Sequence, residues 1–199
     1  MIYGGAMIEP TTMEISEDLL TLSRRLDWRF VFANPRLQHV VVAGKPDDEL
    51  LNALQALSDH VSIWQGQSVE LCDMLVMLNP SSSLCWRALE TINPARFYIE
   101  FEGYNLTFRL RRMLASACCV IAARYRGYSN IRSFWYWPDI ANANRIIPLS
   151  QSEALLFVLA KGRSDFRTNL KMTGLSLLLR TGLLALIIKS LGVAGERHV

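Results

Sequence analysis

The residues best suited to chemistry stand at the ends of apolar runs. Gly44-Lys45-Pro46-Asp47 follows the run 39–43. A glycine and then a carboxylate directly after a buried strand form the turn that lets backbone approach a ligand and caps the next helix. Trp64-Gln65, Asn79-Pro80-Ser81 and Glu100-Phe101-Glu102-Gly103 hold the equivalent place after three further runs. Ligands of an open parallel sheet bind outside the carboxyl ends of its strands, so these groups should share one cleft. Glu100 and Glu102, two apart on a strand, face the same way as Tyr98. They suit a polar acceptor or general-base role, and equally a strand end emerging into solvent. His39 and His60 precede their strands and His198 is near the C-terminus. No histidine is therefore placed for catalysis, and no catalytic residue is assigned.

Other chemistries lack their residue patterns. There is no His-Glu-x-x-His, no paired Cys/His spacing and no hard-cation carboxylate cluster, so no metal is expected. Neither a Gly-x-Ser-x-Gly elbow nor a phosphate-cradling Gly-x4-Gly-Lys-Ser/Thr loop occurs. The cysteines are Cys72, Cys85, Cys118 and Cys119, without a Cys-x-x-Cys, which fits a reducing compartment. The first twenty residues lack the basic and apolar regions of a secretory signal. A cytoplasmic location follows as an expectation, with peripheral attachment to a membrane as its extension.

The elements that must position these residues follow a rhythm. Ser16 would cap a short helix with Leu19, Leu22 and Leu26 on one face, and residues 27–34 alternate weakly, as a short strand or hairpin arm would. Strands are predicted over 39–43, 60–64, 73–79 and 95–102. Between them lie helices capped by Asp47 or Asp48 and by Ser81 or Ser82, and a long helix follows over 106–124. Residues 131–137 and 145–149 would pair as an antiparallel hairpin, and helices would follow near 151–161 and 174–190. Strands alternating with amphipathic helices imply an α/β fold with a doubly wound, mostly parallel sheet and helices on both faces. The expected division is an N-terminal arm and helix (1–36), an α/β domain (37–150) and a C-terminal helical extension (151–199).

The chain of 199 residues is 51% hydrophobic and 20% charged, with net charge +3, which fits a packed domain and excludes a disordered one. The charge is uneven. Residues 1–102 carry 7 Lys/Arg against 14 Asp/Glu, and residues 103–199 carry 14 against 4. Either the halves neutralise each other or the basic half meets an anionic neighbour.

The order strand–glycine–helix, strand, "DMLVMLNP", "ARFYIEFEG", long helix, hairpin resembles the class I S-adenosylmethionine-dependent methyltransferases over roughly residues 37–150. The segments 127–139 and 146–149 resemble the C-terminal part of bacterial methyltransferase-like proteins of cell-surface or secondary metabolism. The resemblance implies a Rossmann-like sheet with an antiparallel C-terminal hairpin. For an active protein it implies S-adenosylmethionine held by Gly44, Asp47, Gln65 and Asn79, with Glu100 and Glu102 near the acceptor. The motifs are eroded where that cofactor would sit. Ala43 replaces the acid before the turn, and Lys45-Pro46 replaces further glycines and removes an N–H. Trp64-Gln65 replaces the acid that binds the ribose, and Ser81-Ser82-Ser83 follows Asn79-Pro80 where an aromatic pattern would stand.

The expectation is thus a non-catalytic, methyltransferase-like accessory subunit with no cofactor, in a larger and membrane-associated assembly. The alternative is a divergent methyltransferase acting on a small molecule or glycolipid. The attachment surface of the accessory subunit would comprise Trp135, Trp137, Arg180 and Lys189. The run 171–195 has one charge, Arg180, between residues 172 and 188. It would pack on the domain, lie in a membrane interface or dock into a partner. A protein partner or a second copy ranks with an anionic membrane surface. Nucleic acid ranks below both, although Arg109, Arg111, Arg112, Arg124 and Arg126 decorate the long helix.

Overall fold

A computed structural model describes residues 22–69, 72–103, 105–137, 140, 143, 145–151 and 188–197. Residues 22–25 are helical and lead into a 3-10 helix, η1 (Asp27–Val31). Then follow β1 (Leu37–Ala43), α1 (Asp48–Leu57), β2 (Ser58–Ile63), β3 (Met74–Leu78), α2 (Ser82–Ile92), β4 (Arg96–Glu102), α3 (Leu106–Tyr125), β5 (Ser129–Trp137), β6 (Arg145–Pro148) and β7 (Ser190–Glu196). The strands form one sheet in the order β2-β1-β3-β4-β7-β5-β6. Neighbours from β2 to β4 are parallel, whereas β7 runs antiparallel to both β4 and β5, and β5 to β6.

The interior parallel strands β1, β3 and β4 are largely apolar runs because both of their faces are covered, whereas β2, at the edge, is polar and partly exposed. Val41, Ala43, Leu75, Met77, Phe97 and Ile99 face α2 and α3 in one core. Val40, Val42, Met74, Val76 and Tyr98 face α1 and η1 in the other. On the first face α3 presents Ala115, Cys119, Ala122 and Ala123, small side chains that let a long helix lie close to the sheet. On the second, Trp28 stacks on Tyr98 with ring centroids 4.2 Å apart. The helices start where their sequences provide caps. Asp47 accepts the Leu50 N–H at 2.6 Å and Ser81 the Leu84 N–H at 3.2 Å, each cap worth about 1 kcal/mol.

Two expectations are corrected. Residues 27–31 are a 3-10 turn rather than a strand, because Trp28 must reach inward to Tyr98. Residues 190–196 end no helical extension, because they form β7 inside the sheet. Their glycines, which look like loop or helix-end signals in the sequence, make room for aromatic rings. A Cβ on Gly192 would stand 2.5 Å from Tyr136 Cε2, and one on Gly195 would stand 2.6 Å from Phe97 Cε1. The α/β sheet is therefore completed by a strand from beyond residue 150. The expected helices over 151–161 and 174–190 fall almost wholly outside the described residues, and Arg180 lies outside them too.

Candidate functional site

The carboxyl ends of β1, β3 and β4 open into one cleft with two chambers. The first, about 610 Å³, is lined by Gly44, Lys45, Asp47, Asn79, Glu100 and Glu102, among others. The sequence placed these six residues together, and the fold does so as well. Gly44 turns the chain at φ +103°, a conformation that glycine adopts freely. Asn79 also has positive φ, at 44°. Its N–H donates to the Glu100 carbonyl at 2.7 Å, and its Oδ1 accepts the Glu102 N–H at 2.7 Å. Asn79 thereby stitches the end of β3 to the end of β4.

Arg25, which the sequence reading passed over, reaches into this chamber from the helical stretch 22–25. Its Nη1 donates to Glu100 Oε1 at 2.6 Å and its Nη2 to Oε2 at 2.8 Å; Nη2 also meets Asp47 Oδ2 at 3.3 Å. Arg25 and Glu100 are 4% and 2% exposed, so Glu100 neither emerges into solvent nor stands open to an acceptor. The fork-on-carboxylate geometry is that of an ionised pair. Burial works against the Arg25 charge, but the Glu100 hydrogen bonds and the charges of Glu100 and Asp47 outweigh it and raise its pKa. Burial pushes the Glu100 carboxyl up from the usual carboxylate range, against the pull of Arg25. Beneath the pair, the Tyr98 hydroxyl donates to the Tyr136 hydroxyl at 2.7 Å, and burial raises the pKa of Tyr98 well above the phenolic range. The only hint of this arrangement in the sequence is the Arg24-Arg25 doublet between Leu22 and Leu26 of the amphipathic pattern.

The second chamber, about 530 Å³, lies between the turn that opens α2 (Asn79 to Ser82) and the first half of α3, and shares Asn79 and Glu102 with the first. Its walls include Pro80, Phe101, Phe108, Arg111, Leu114 and Ala115. Sequence reasoning missed it because strand-end positions identify the β-side of a cleft, not the helix face that closes it.

The other expected residues are scattered. Gln65 is exposed beyond β2 and donates its N–H to Gln67 Oε1 at 3.0 Å. It is not part of the lining of either chamber. Trp64 is buried and donates Nε1–H to the Gln67 carbonyl at 2.7 Å. Trp135, expected at an interaction surface, is in the core, because β5 is an interior strand and sets it between Ile147 and Leu191. Trp137, at the end of β5, is half-exposed, with its ring edge-on to Trp135 at 5.4 Å. Lys189 is exposed. Its carbonyl accepts from Arg112 Nη1 at 2.5 Å and from the Gly103 N–H at 3.2 Å, which fixes the start of β7. The His39 and His60 rings touch at 4.8 Å in adjacent strands, away from the cleft.

Among the described residues no three His, Cys, Asp or Glu side chains converge as a metal would need, and no helix is long and apolar enough to cross a membrane. No protein-family model matches the chain, and comparison with curated proteins gives no match.

Proposed function

We propose that the chain is a non-catalytic, methyltransferase-like binding subunit. The observation that carries this reading is the Arg25–Glu100 pair. The crevice above Gly44, where the resemblance would put S-adenosylmethionine, holds a fixed guanidinium clamped by the chain's own carboxylate. Both carboxylate oxygens of Glu100 are taken up by Arg25, so Glu100 is not free to hold a cofactor or an acceptor. The parallel set β2-β1-β3-β4 followed by an antiparallel C-terminal part supports the Rossmann-like half of the resemblance.

The attachment surface of such a subunit is the outer face of α3, not Trp135. Leu110, Leu114, Ile121 and Tyr125 are exposed at helical spacing, and Trp86 of α2 lies beside Tyr125 at 5.6 Å. A contiguous apolar stripe of this kind marks a contact surface. Arg111 and Arg124 flank it, and α3 contains no acidic residue. An acidic partner protein, or an anionic membrane approached from the side, matches that character.

One observation favours the second reading, a divergent methyltransferase. Two chambers that meet at Asn79 and Glu102 have the layout required for a cofactor beside an acceptor. Isothermal titration with S-adenosylmethionine separates the two. The proposed function requires no binding at millimolar cofactor, and micromolar binding overturns it in favour of the enzyme.

A further inference from the structure

We propose that the second chamber is a binding site for a single-chain amphiphile with an anionic head, of which a fatty acid is the simplest case. The inference is independent of whether S-adenosylmethionine binds next door.

Size and lining define the apolar part. About 530 Å³ falls within the range of about 300–1,000 Å³ typical of small-molecule sites. Phe101 forms the buried back of the chamber, while Phe108 and Leu114 are 59% and 61% exposed at its mouth. Large apolar side chains around a recess gain by covering themselves with an alkyl chain, at about 25 cal/mol per Å² removed from water. The site is a recess bounded by a strand end and two helices. It therefore suits a chain that enters it better than a flat bilayer surface.

Charge defines the head. Arg111 lies in the wall, exposed to solvent. Arg112, also in the wall, is buried and anchored on the carbonyl oxygens of Ile188 and Lys189. Arg111 and Arg112 thus give the lining two positive charges against one carboxylate. That carboxylate is Glu102, whose charge acts on Arg112. A carboxylate or phosphate head placed at Arg111 relieves that excess, whereas a cationic head adds to it. Arg111 can pair bidentately with either anion.

The test is titration calorimetry of the full chain with dodecanoate, dodecyl phosphate and dodecyltrimethylammonium, each below its micellar concentration. The expected result is micromolar binding of both anions and none of the cation. Arg111→Glu should weaken the anions by about tenfold or more, and Phe108→Ser should weaken them comparably. Both positions are exposed, and an unchanged far-UV circular dichroism spectrum confirms folding. Equal affinity for the cationic amphiphile overturns the proposal, as does anion binding indifferent to both substitutions. Binding to anionic phosphatidylglycerol vesicles without binding of dodecanoate also overturns it, and assigns the arginines to a membrane surface instead.

Discussion

Replacing Arg25 by alanine should be among the costliest single changes outside the apolar core. Both oxygens of Glu100 are held by Arg25, at 2.6 and 2.8 Å, and Glu100 is 2% exposed. Removing the guanidinium leaves a buried carboxylate without its counter-ion, a loss of about 3–5 kcal/mol. For a chain of this size that lowers Tm by roughly 6–20 °C. The Asp47 contact adds little, because that side chain is 52% exposed and the separation is 3.3 Å. Asp47→Asn, which keeps a capping oxygen for Leu50, should therefore cost under about 1 kcal/mol.

The sign of the pH dependence gives the sharper test. Burial raises the Glu100 pKa, and without Arg25 nothing opposes it. An acid whose folded pKa lies above its unfolded value of about 4.3 costs nothing below that value and costs progressively more as pH rises through the folded pKa. The stability gap between wild type and Arg25→Ala, read by urea unfolding at pH 4, 6 and 8 with tryptophan fluorescence, should widen with pH. Adding Glu100→Gln should recover part of the loss at pH 8 and almost none at pH 4. A gap of under about 1 kcal/mol, or one independent of pH, would refute the buried ion pair as the element that closes the crevice.

Gly192→Ala should destabilise by about 1–3 kcal/mol in the same assay, because its Cβ would meet the Tyr136 ring, which is buried and held by Tyr98. The same substitution at Gly127, whose Cβ position is open but whose φ is +81°, should cost about 1 kcal/mol. Native alkylation with iodoacetamide at pH 8, followed by mass spectrometry, should label Cys118, which is exposed, well before Cys72, Cys85 and Cys119. Cys72 is protected twice, being half-buried and having its thiol pushed up to about 12, mainly by burial. Its contribution to stability is complete below the unfolded thiol pKa and should decline as pH rises from about 9 towards 12. Ile121→Glu should leave stability within about 0.5 kcal/mol and reduce any self-association seen by sedimentation, since Ile121 is exposed on α3.

β1, β3 and β4 were legible because they are largely apolar runs punctuated by caps and glycines, and such local signals survive without knowledge of neighbours. The strand β7 was not. "SLGVAGE" becomes a strand only because Tyr136 and Phe97, 56 and 98 residues before Gly192 and Gly195, place rings against its backbone. The site divides in the same way. Gly44, Asp47, Asn79, Glu100 and Glu102 could be gathered from sequence because all sit at strand ends, and the parallel register brings those ends together. Arg25 could not, since its partner is 75 residues away and nothing in Leu22-Ser23-Arg24-Arg25-Leu26 says which arginine turns inward.

The uneven charge of the chain can now be followed to particular pairs. Arg25, Arg36 and Arg96 of the acidic half spend their charge on its own Asp47, Glu100, Asp59 and Asp73. Arg132 pairs with Glu196 inside the basic half, and Arg126 with Glu90 bridges the two. Pairing within each half lowers the charge of both signs equally, so it leaves the excess of each half unchanged. Only bridges such as Arg126–Glu90 reduce it. Glu102 of the acidic half also acts on Arg112 of the basic half, so part of the basic surplus is met within the fold. On α3 it lies beside exposed Phe108, Leu110, Leu114, Ile121 and Tyr125, side chains that water serves poorly. Positive charge and uncovered apolar area on one helix are satisfied together by a partner that is anionic and apolar at once. The recess beside Arg111 and the outer stripe of α3 share Leu114, but Ile121 and Tyr125 lie outside the recess, so Ile121→Glu should leave dodecanoate affinity unchanged while it alters attachment.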